Sequence, residues 1–389
     1  MKIEQVYQIT NSITNQLVGD SVVVNEDLSN IVDVGDTIQN IAGMDKYVKS
    51  LVDHIGKVVF VNRPYSGTAP SVLMDGWEYG AILQKVKYDG LPEATENDSW
   101  SLQDGKSYDV NVFKQPTVSS KFYNKRTTFE IPMSFAERQV KSAFDNAQQL
   151  NAFFSMIYNA IEKSMTVKTD GLVTRTINNM IAETIHAAKP VSAVNLLKLY
   201  KERFPEDNSI TAENCIYKPE FIRYASFMIK LYSDRLTKLS TLFNIGGTEK
   251  FTSKDLQHIV MLAEFESAAS VYLQSDTFHN ELTSLPQAET VPYWQGSGTD
   301  FAFSSTSKIN VNTSSGNAVE QSGILGIIFD RDALGVSNLD RRVTSNYNGK
   351  GEFFNNWYKA DAGYFNDMNE NFVVFYVAED AASAGPGTV

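Results

Sequence analysis

Residues able to do chemistry are sparse and scattered in this chain of 389 residues. The four histidines, His54, His186, His258 and His279, stand far apart and fall in different expected elements, so their spacing marks neither a metal set nor an acid–base pair. Cys215, the one cysteine, sits beside Ile216 with no local motif to activate it and reads as a buried thiol rather than a nucleophile. No phosphate-binding Gly-rich loop, Gly-x-Ser-x-Gly elbow or His-Glu-x-x-His pair occurs. Glu93, Glu96 and Asp98 bring three carboxylates close together, but the ligand alternation of a calcium loop is missing. No catalytic, cofactor-binding or metal-ligating residue is assigned, and the expectation is a protein that is not an enzyme.

The composition fits a soluble protein of two or three domains, with 21% charged and 42% hydrophobic residues. Aromatics reach 12%, which suits extensive interfaces and equally a large β core. A formal charge of −12 opposes tight, non-specific binding to nucleic-acid phosphate. One cysteine allows no intrachain disulfide, and a reducing cytoplasm is the expected place of assembly. The first residues lack the apolar run of a signal peptide, and no apolar run approaches the roughly 20 residues of a membrane span.

The longest proline-free stretch, between Pro132 and Pro190, sets the organisation. Ser134 with Glu137 reads as a capping box at the start of a helix. Phe135, Val140, Phe144, Ala147, Leu150, Phe154, Ile157, Ile161 and Met165 then follow at three-to-four spacing, an apolar stripe along one face. Leu172, Ile177, Ile181 and Ile185 resume it after Gly171, which reads as a bend or break. Ahead of this spine, 77–88 and 107–131 read as the two arms of a long hairpin, with Trp77, Tyr79, Ala81 and Leu83 alternating on the first and Tyr108, Val110 and Val112 on the second. The tip between them is polar and acidic and carries one large apolar residue, Trp100. Such a hairpin has little of its own to pack against, which makes sense if it lies on another copy of the chain.

Residues 1–44 read as an arm; a short helix is expected at 45–55, a strand at 57–61 and a turn at 63–67. Beyond Pro190 the spacing predicts a helix capped by Ser192, a second starting at Pro219 and stopping before Gly246, a strand region at 251–262 and a helix at 264–282. A Gly-, Ser-, Thr- and Asn-rich region at 290–321 includes a short strand at 308–311. The end is β: a buried run at 324–329, then three antiparallel strands at 341–347, 352–365 and 371–377 with turns at Asn348-Gly349 and 367–371. The tail, 379–389, reads as disordered.

Thr128-Phe129-Glu130-Ile131-Pro132 running into Ser134-Phe135-Ala136-Glu137, the segment from Gly323 through Ile327-Ile328-Phe329-Asp330 to Gly335, Asn355-Asn356-Trp357-Tyr358-Lys359 and Phe372-Val373-Val374-Phe375-Tyr376, taken in this order, resemble the major capsid protein of tailed bacteriophages, the Hong Kong 97-like fold. The resemblance implies an α+β architecture: an N-terminal arm (1–44), an extended β-hairpin loop (77–131), a peripheral domain (45–76, the spine helix at 132–190, and 323–378) and an α/β axial domain (191–322). It implies a structural subunit that self-assembles, through hexamers and pentamers, into an icosahedral head shell in the host cytoplasm. Such a shell encloses double-stranded DNA without reading its sequence and needs no membrane and no cofactor.

The arm is short and lacks heptads, which points to a separate scaffolding protein or none; the resemblance further implies a portal and decoration proteins. Some members of the family crosslink through a loop lysine, and Lys85, Lys87 and Lys106 lie in that region, where they read as solvated. The tip carboxylates Glu93, Glu96 and Asp98 are expected to meet Arg341 and Arg342 of a neighbouring copy, with Trp100 as apolar anchor. An encapsulin-like cargo shell and a phage tube or sheath subunit remain open as alternatives.

Overall fold

A computed structural model describes residues 69–74, 83–88, 94, 96–108, 111, 113, 115, 117–136, 138, 147–207, 209–274, 288–294 and 307–379, with isolated positions between 7 and 37. The elements expected at 45–55, 57–61 and 63–67, most of the arm, and 380–389 lie outside the described residues. In chain order the elements are β1 (Leu73–Met74), β2 (Leu83–Tyr88), β3 (Val118–Tyr123), β4 (Arg126–Ala136), α1 (Ala147–His186), β5 (Ala193–Asn195), α2 (Leu196–Arg203), α3 (Pro219–Arg235), β6 (Gln257–Leu262), α4 (Ala263–Gln274), β7 (Glu289–Val291), β8 (Lys308–Asn312), β9 (Ala318–Ser322), β10 (Ile324–Asp330), β11 (Leu334–Asn348), β12 (Phe353–Asn366) and β13 (Phe372–Tyr376). The architecture is α+β: one sheet ordered β1-β11-β12-β4, another ordered β5-β13-β10-β6-β7, and two separate ribbons, β2-β3 and β8-β9.

The second sheet is built around the apolar run Ile324-Leu325-Gly326-Ile327-Ile328-Phe329. Every residue of β10 is buried, as a central strand covered on both faces requires. Its antiparallel neighbours are β13 and β6, so β13 joins this sheet and not a meander with β11 and β12 as the sequence predicts. Gly323, just before β10, has φ +68, and a Cβ there would come within 2.4 Å of the Val377 carbonyl oxygen; only glycine suits this turn. The first sheet is the long β11-β12 hairpin flanked by β4. Its connection sits where Asn348-Gly349 predicts it, with Asn348 Oδ1 accepting from the amides of Lys350 and Gly351, each at 3.1 Å.

β4 corrects the expected start of the spine. Residues 132–136 are strand: Phe129, Ile131, Met133 and Phe135 alternate inward with Thr128, Glu130, Pro132 and Ser134 outward, a period of two that overrides the capping signature. Ser134 caps no helix; its hydroxyl donates to Asn355 Oδ1 across the sheet at 2.6 Å. Pro132 is tolerated because β4 lies at the sheet edge, where a missing amide costs no ladder bond.

The spine itself is α1, 40 residues and about 60 Å long. It runs through Gly171 without interruption, so the expected break is absent: Leu172, Val173, Ile177, Met180 and Ile181 bury the turns beyond it and hold the glycine helical. Thr176 and Thr184, buried on the same length of helix, donate their hydroxyls to the carbonyls of Leu172 and Met180 at 2.8 Å. Ala188, at φ 50, ends the helical path ahead of Pro190. The helix touches β11, β12 and β13 and so ties the two sheets into one apolar core.

Four further boundaries move. Residues 193–195 pair with β13 as strand β5, so Ser192 is displaced from the cap position and Asn195 takes it, its side chain accepting from the Lys198 amide at 3.2 Å. Asn195→Ala is expected to lower stability by about 1 kcal/mol in urea denaturation, the ordinary worth of such a cap. α3 stops at Arg235, well before Gly246, and the strand expected over 251–262 begins only at Gln257. At the other end, Glu379, the first residue of the expected tail, is held by Lys201 at 2.7 Å and by the Ala212 amide at 2.9 Å.

Among the described residues no group of three or more His, Cys, Asp and Glu side chains is placed to hold a metal ion. His186 lies beside Ser315 and Asn317, and His258 packs on Phe329 with its imidazole pKa pushed down by burial. His54 and His279 lie outside the described residues. Cys215 is fully buried, and burial pushes its thiol up to about 11. No helix among the described residues is long and apolar enough to cross a membrane.

Candidate inter-subunit surface

Strands β2 and β3 pair antiparallel, from Leu83 opposite Tyr123 to Tyr88 opposite Val118. The return arm is shorter than the sequence predicts: among the described residues 107–117 carry no strand, and from Arg126 the chain has left the ribbon for the first sheet. The register sets Lys85 directly opposite Lys121, a like-charge pair that would by itself push the ribbon apart. Asp367 resolves it. Its carboxylate, almost wholly buried, accepts from Lys85 Nζ at 3.4 Å and from Lys121 Nζ at 3.1 Å. Burial opposes the charge on Asp367, but the two ammonium groups and the Asn369 amide outweigh it and hold the carboxyl below its ordinary pKa.

The clasp is reinforced on every side. Lys85 also donates to the Asp332 carbonyl, lies over the Phe365 ring at 5.0 Å and is 4.0 Å from Glu370, which is bound by Lys250 at 2.8 Å. Tyr123 packs on Phe365 with ring centroids 5.2 Å apart, and burial together with the adjacent Asp367 pushes its phenol far up. The root of the loop is therefore fastened to its own subunit. The expectation of a hairpin supported wholly by another copy holds for neither β2 nor β3, and Lys85 is not the solvated lysine the sequence predicts.

The outer face and the tip are different. Val86, Phe122 and Val118 project from the outer face of the ribbon, exposed by 63%, 61% and 54%. At the tip Trp100 is 98% exposed, with Leu102 and Phe113 also exposed. The short helical turn Asp98–Trp100 is shaped from within, by Ser99 N donating to Asn97 Oδ1 at 2.9 Å and Gln103 N to the Tyr108 hydroxyl at 3.2 Å. Val86, Val118, Phe122, Trp100, Leu102 and Phe113 are thus large apolar residues left exposed along this stretch of the chain.

The expected contact residues are distributed as follows. Glu96 is exposed beside Trp100. Glu93 and the side chain of Asp98 lie outside the described residues, as does the side chain of Arg341, whose backbone pairs with Ala360 in the first sheet. Arg342 is engaged within the chain, forked onto Asp361 at 2.8 and 3.4 Å. Arg342 and the Thr128 hydroxyl, 2.6 Å from Asp361, together hold that carboxyl below its ordinary pKa against partial burial.

The sequence reading misses a cleft of about 400 Å³ at the root of the loop. Strand β3 contributes Lys121 and the turn after it Lys125, α1 presents Arg175, Asn179 and Glu183 at successive i, i+4 positions, and Tyr364 also lines the cleft. Arg175 lies over the Tyr364 ring at 5.9 Å, and Glu183 accepts from the Ser314 amide. Neither Arg175 nor Lys125 has a carboxylate partner among the described residues.

The family model described as "Phi29-like phage major capsid protein" matches residues 8–376. The major capsid protein of Bacillus phage GA-1 is 25% identical over 158 residues, which are 40% of this chain and 31% of that protein, so the match spans about a third of the relative's length. Among solved structures, a chain in the capsid of Staphylococcus phage Andhra aligns with TM-score 0.49 and 10% identity over 82% of this chain and 86% of its own. A chain in the capsid of Cyanophage P-SCSP1u aligns with TM-score 0.44 and 10% identity over 82% of this chain and 92% of its own.

Proposed function

The chain belongs to the Phi29-like phage major capsid protein family, and from that premise we propose that it is the repeating subunit of an icosahedral head shell around packaged double-stranded DNA. The observation that carries this beyond the family is the loop: a root clasped to its own body, and a tip on which Trp100 is 98% exposed. A clasped root fixes the direction in which the tip projects; the exposed apolar groups then find cover on the next copy. Each subunit gives one surface and receives on a different one, a heterologous contact that closes only through rotational symmetry, here hexamers and pentamers. Contacts of this kind are modest singly and act together, because every copy in a closed shell is held from several sides.

In this reading α1 and the first sheet form the peripheral part of the subunit and 191–322 the axial part, with β10 and β13 of the 323–378 stretch completing the sheet begun by β5 and β6. The net charge of −12 suits a wall that must not adhere to the DNA it surrounds. The role is structural and not catalytic, the mature site is the virion, and a scaffolding protein, a portal and decoration proteins are the partners. Expression of the chain, alone and with a scaffold, followed by negative-stain imaging is expected to show closed shells or capsomer rings, with nucleic acid in particles recovered from virions. Monomers at every concentration and condition would refute the reading; open helical polymers would make it a tube subunit.

A further inference from the structure

We propose that the cleft at the root of the loop binds a nucleotide, with its phosphate between Lys125 and Arg175 and its hydroxyl or amino groups donating to Glu183. The proposal stands apart from the shell reading, because every residue it uses belongs to one subunit. Carboxylates outnumber cations by 46 to 34 in this chain, so a cation left open is informative. Lys125 and Arg175, both exposed, line the same cleft and form no ion pair among the described residues. Lys121, the third cation of the lining, is spent on Asp367. The corner that carries Lys125 is pinned, its carbonyl accepting from the Tyr364 amide at 3.2 Å. Two open cations match the charge of a phosphate monoester, about −1.5 to −2 at pH 7, and the guanidinium fork fits its paired oxygens.

Glu183 sets the other pole. It follows Arg175 by about 12 Å along α1, with Asn179 midway between them. One oxygen of Glu183 accepts from the Ser314 amide, which fixes the carboxylate on the cleft wall and leaves its second oxygen as an acceptor. A carboxylate opposes a bare phosphate but suits a ligand whose far end carries hydroxyl or amino donors, as a nucleoside does. The spacing of the two poles is comparable to the length of a nucleotide from phosphate to base edge. Tyr364 adds an aromatic surface of the kind on which any base stacks. Arg175, 5.9 Å from the centre of that ring, sits at the limit of a cation–π contact and can turn to a phosphate. The volume of about 400 Å³ falls within the range of small-molecule pockets.

The test uses the full-length, unassembled chain. Calorimetric titration with deoxyadenosine 5′-monophosphate is expected to show one saturable site, about tenfold tighter than for inorganic phosphate. Lys125→Gln with Arg175→Gln is expected to weaken that binding about thirtyfold or more at an unchanged melting curve. Lys238→Gln, at an exposed lysine that does not line the cleft, is expected to have no effect. Glu183→Gln is expected to tighten inorganic phosphate and loosen the nucleotide, a crossover that a general patch of positive charge does not give. Single-stranded and duplex oligonucleotides titrated in parallel identify the source. Binding of either, lost in the double variant, makes the ligand a nucleic-acid phosphate; binding of the monomer alone makes it a free nucleotide, and each result supports the cleft. No saturable site, full binding by the double variant, or inorganic phosphate bound as tightly as the nucleotide would overturn the assignment. None of these results bears on whether the chain builds shells.

Discussion

Trp100→Ala is expected to give a subunit that melts within about 0.5 kcal/mol of the parent yet fails to close shells at concentrations where the parent does. The two halves of the prediction have different physical sources. An indole exposed by 98% contributes almost nothing to the fold of its own chain, and the described hydrogen bonds of the tip run within the tip, so its loss leaves the body intact. In the assembled state the same ring is the largest apolar group on the projecting element. Truncating a buried aromatic anchor costs about 2 kcal/mol or more per contact. Each subunit donates one such contact, so the concentration needed for assembly rises roughly thirty-fold. Light scattering against concentration, with calorimetry on the unassembled subunit, reads both halves; assembly at an unchanged threshold would remove Trp100 from the interface.

Asp367→Ala is expected to have the largest effect within a single subunit. It leaves Lys85 and Lys121 facing one another across the ribbon, with the more distant Glu370, 4.0 Å from Lys85 and already bound by Lys250, as the remaining nearby carboxylate among the described residues. Removing one member of a buried pair costs about 3–5 kcal/mol, but Lys121 remains nearly half exposed, which reduces the expected loss to about 2 kcal/mol. The damage should be local: amide exchange in β2 and β3 accelerates while β10 and β13 stay protected. The folded carboxyl is held below its ordinary pKa, so its stabilisation is complete above the unfolded value near pH 4 and is lost as pH falls through the folded one. Melts between pH 7 and pH 2 should therefore show an acid loss in the parent that is smaller in Asp367→Asn. An identical acid loss in the variant would show that the clasp carries no linkage.

Much of this architecture is legible in sequence where a local pattern and its burial agree. The uninterrupted apolar run of β10 reads as a buried strand because nothing polar could be hidden there, and Asn348-Gly349 marks the β11-β12 hairpin because the Asn side chain caps the turn locally. Errors arise where two local signals compete and a distant partner decides. Ser134 and Glu137 satisfy the spacing of a capping box, yet the ladder with β12 fixes Ser134 in a strand. Ser192 and Asn195 are both good caps, and pairing with β13 selects the later one. Gly171 costs a helix something on propensity alone, and the buried turn beyond it offsets that cost.

The surface residues divide in the same way. Trp100 can be singled out because a large apolar residue in an acidic loop has no local reason to be there. The clasp cannot be foreseen: Asp367 sits in what reads as an ordinary turn, and its role depends on the register that brings Lys85 and Lys121 together from residues far away in the chain. The cleft draws on α1, the β3-β4 corner, β12 and the β8-β9 ribbon, four segments whose proximity no local pattern encodes.

The most direct test is a cryo-EM reconstruction of assembled particles at side-chain resolution. It is expected to show closed shells in which β2 and β3 stay clasped to Asp367 of their own subunit while Trp100 is covered by the adjacent copy. Closed shells with Trp100 open to solvent or folded onto its own chain, or no shells at all, would contradict the account.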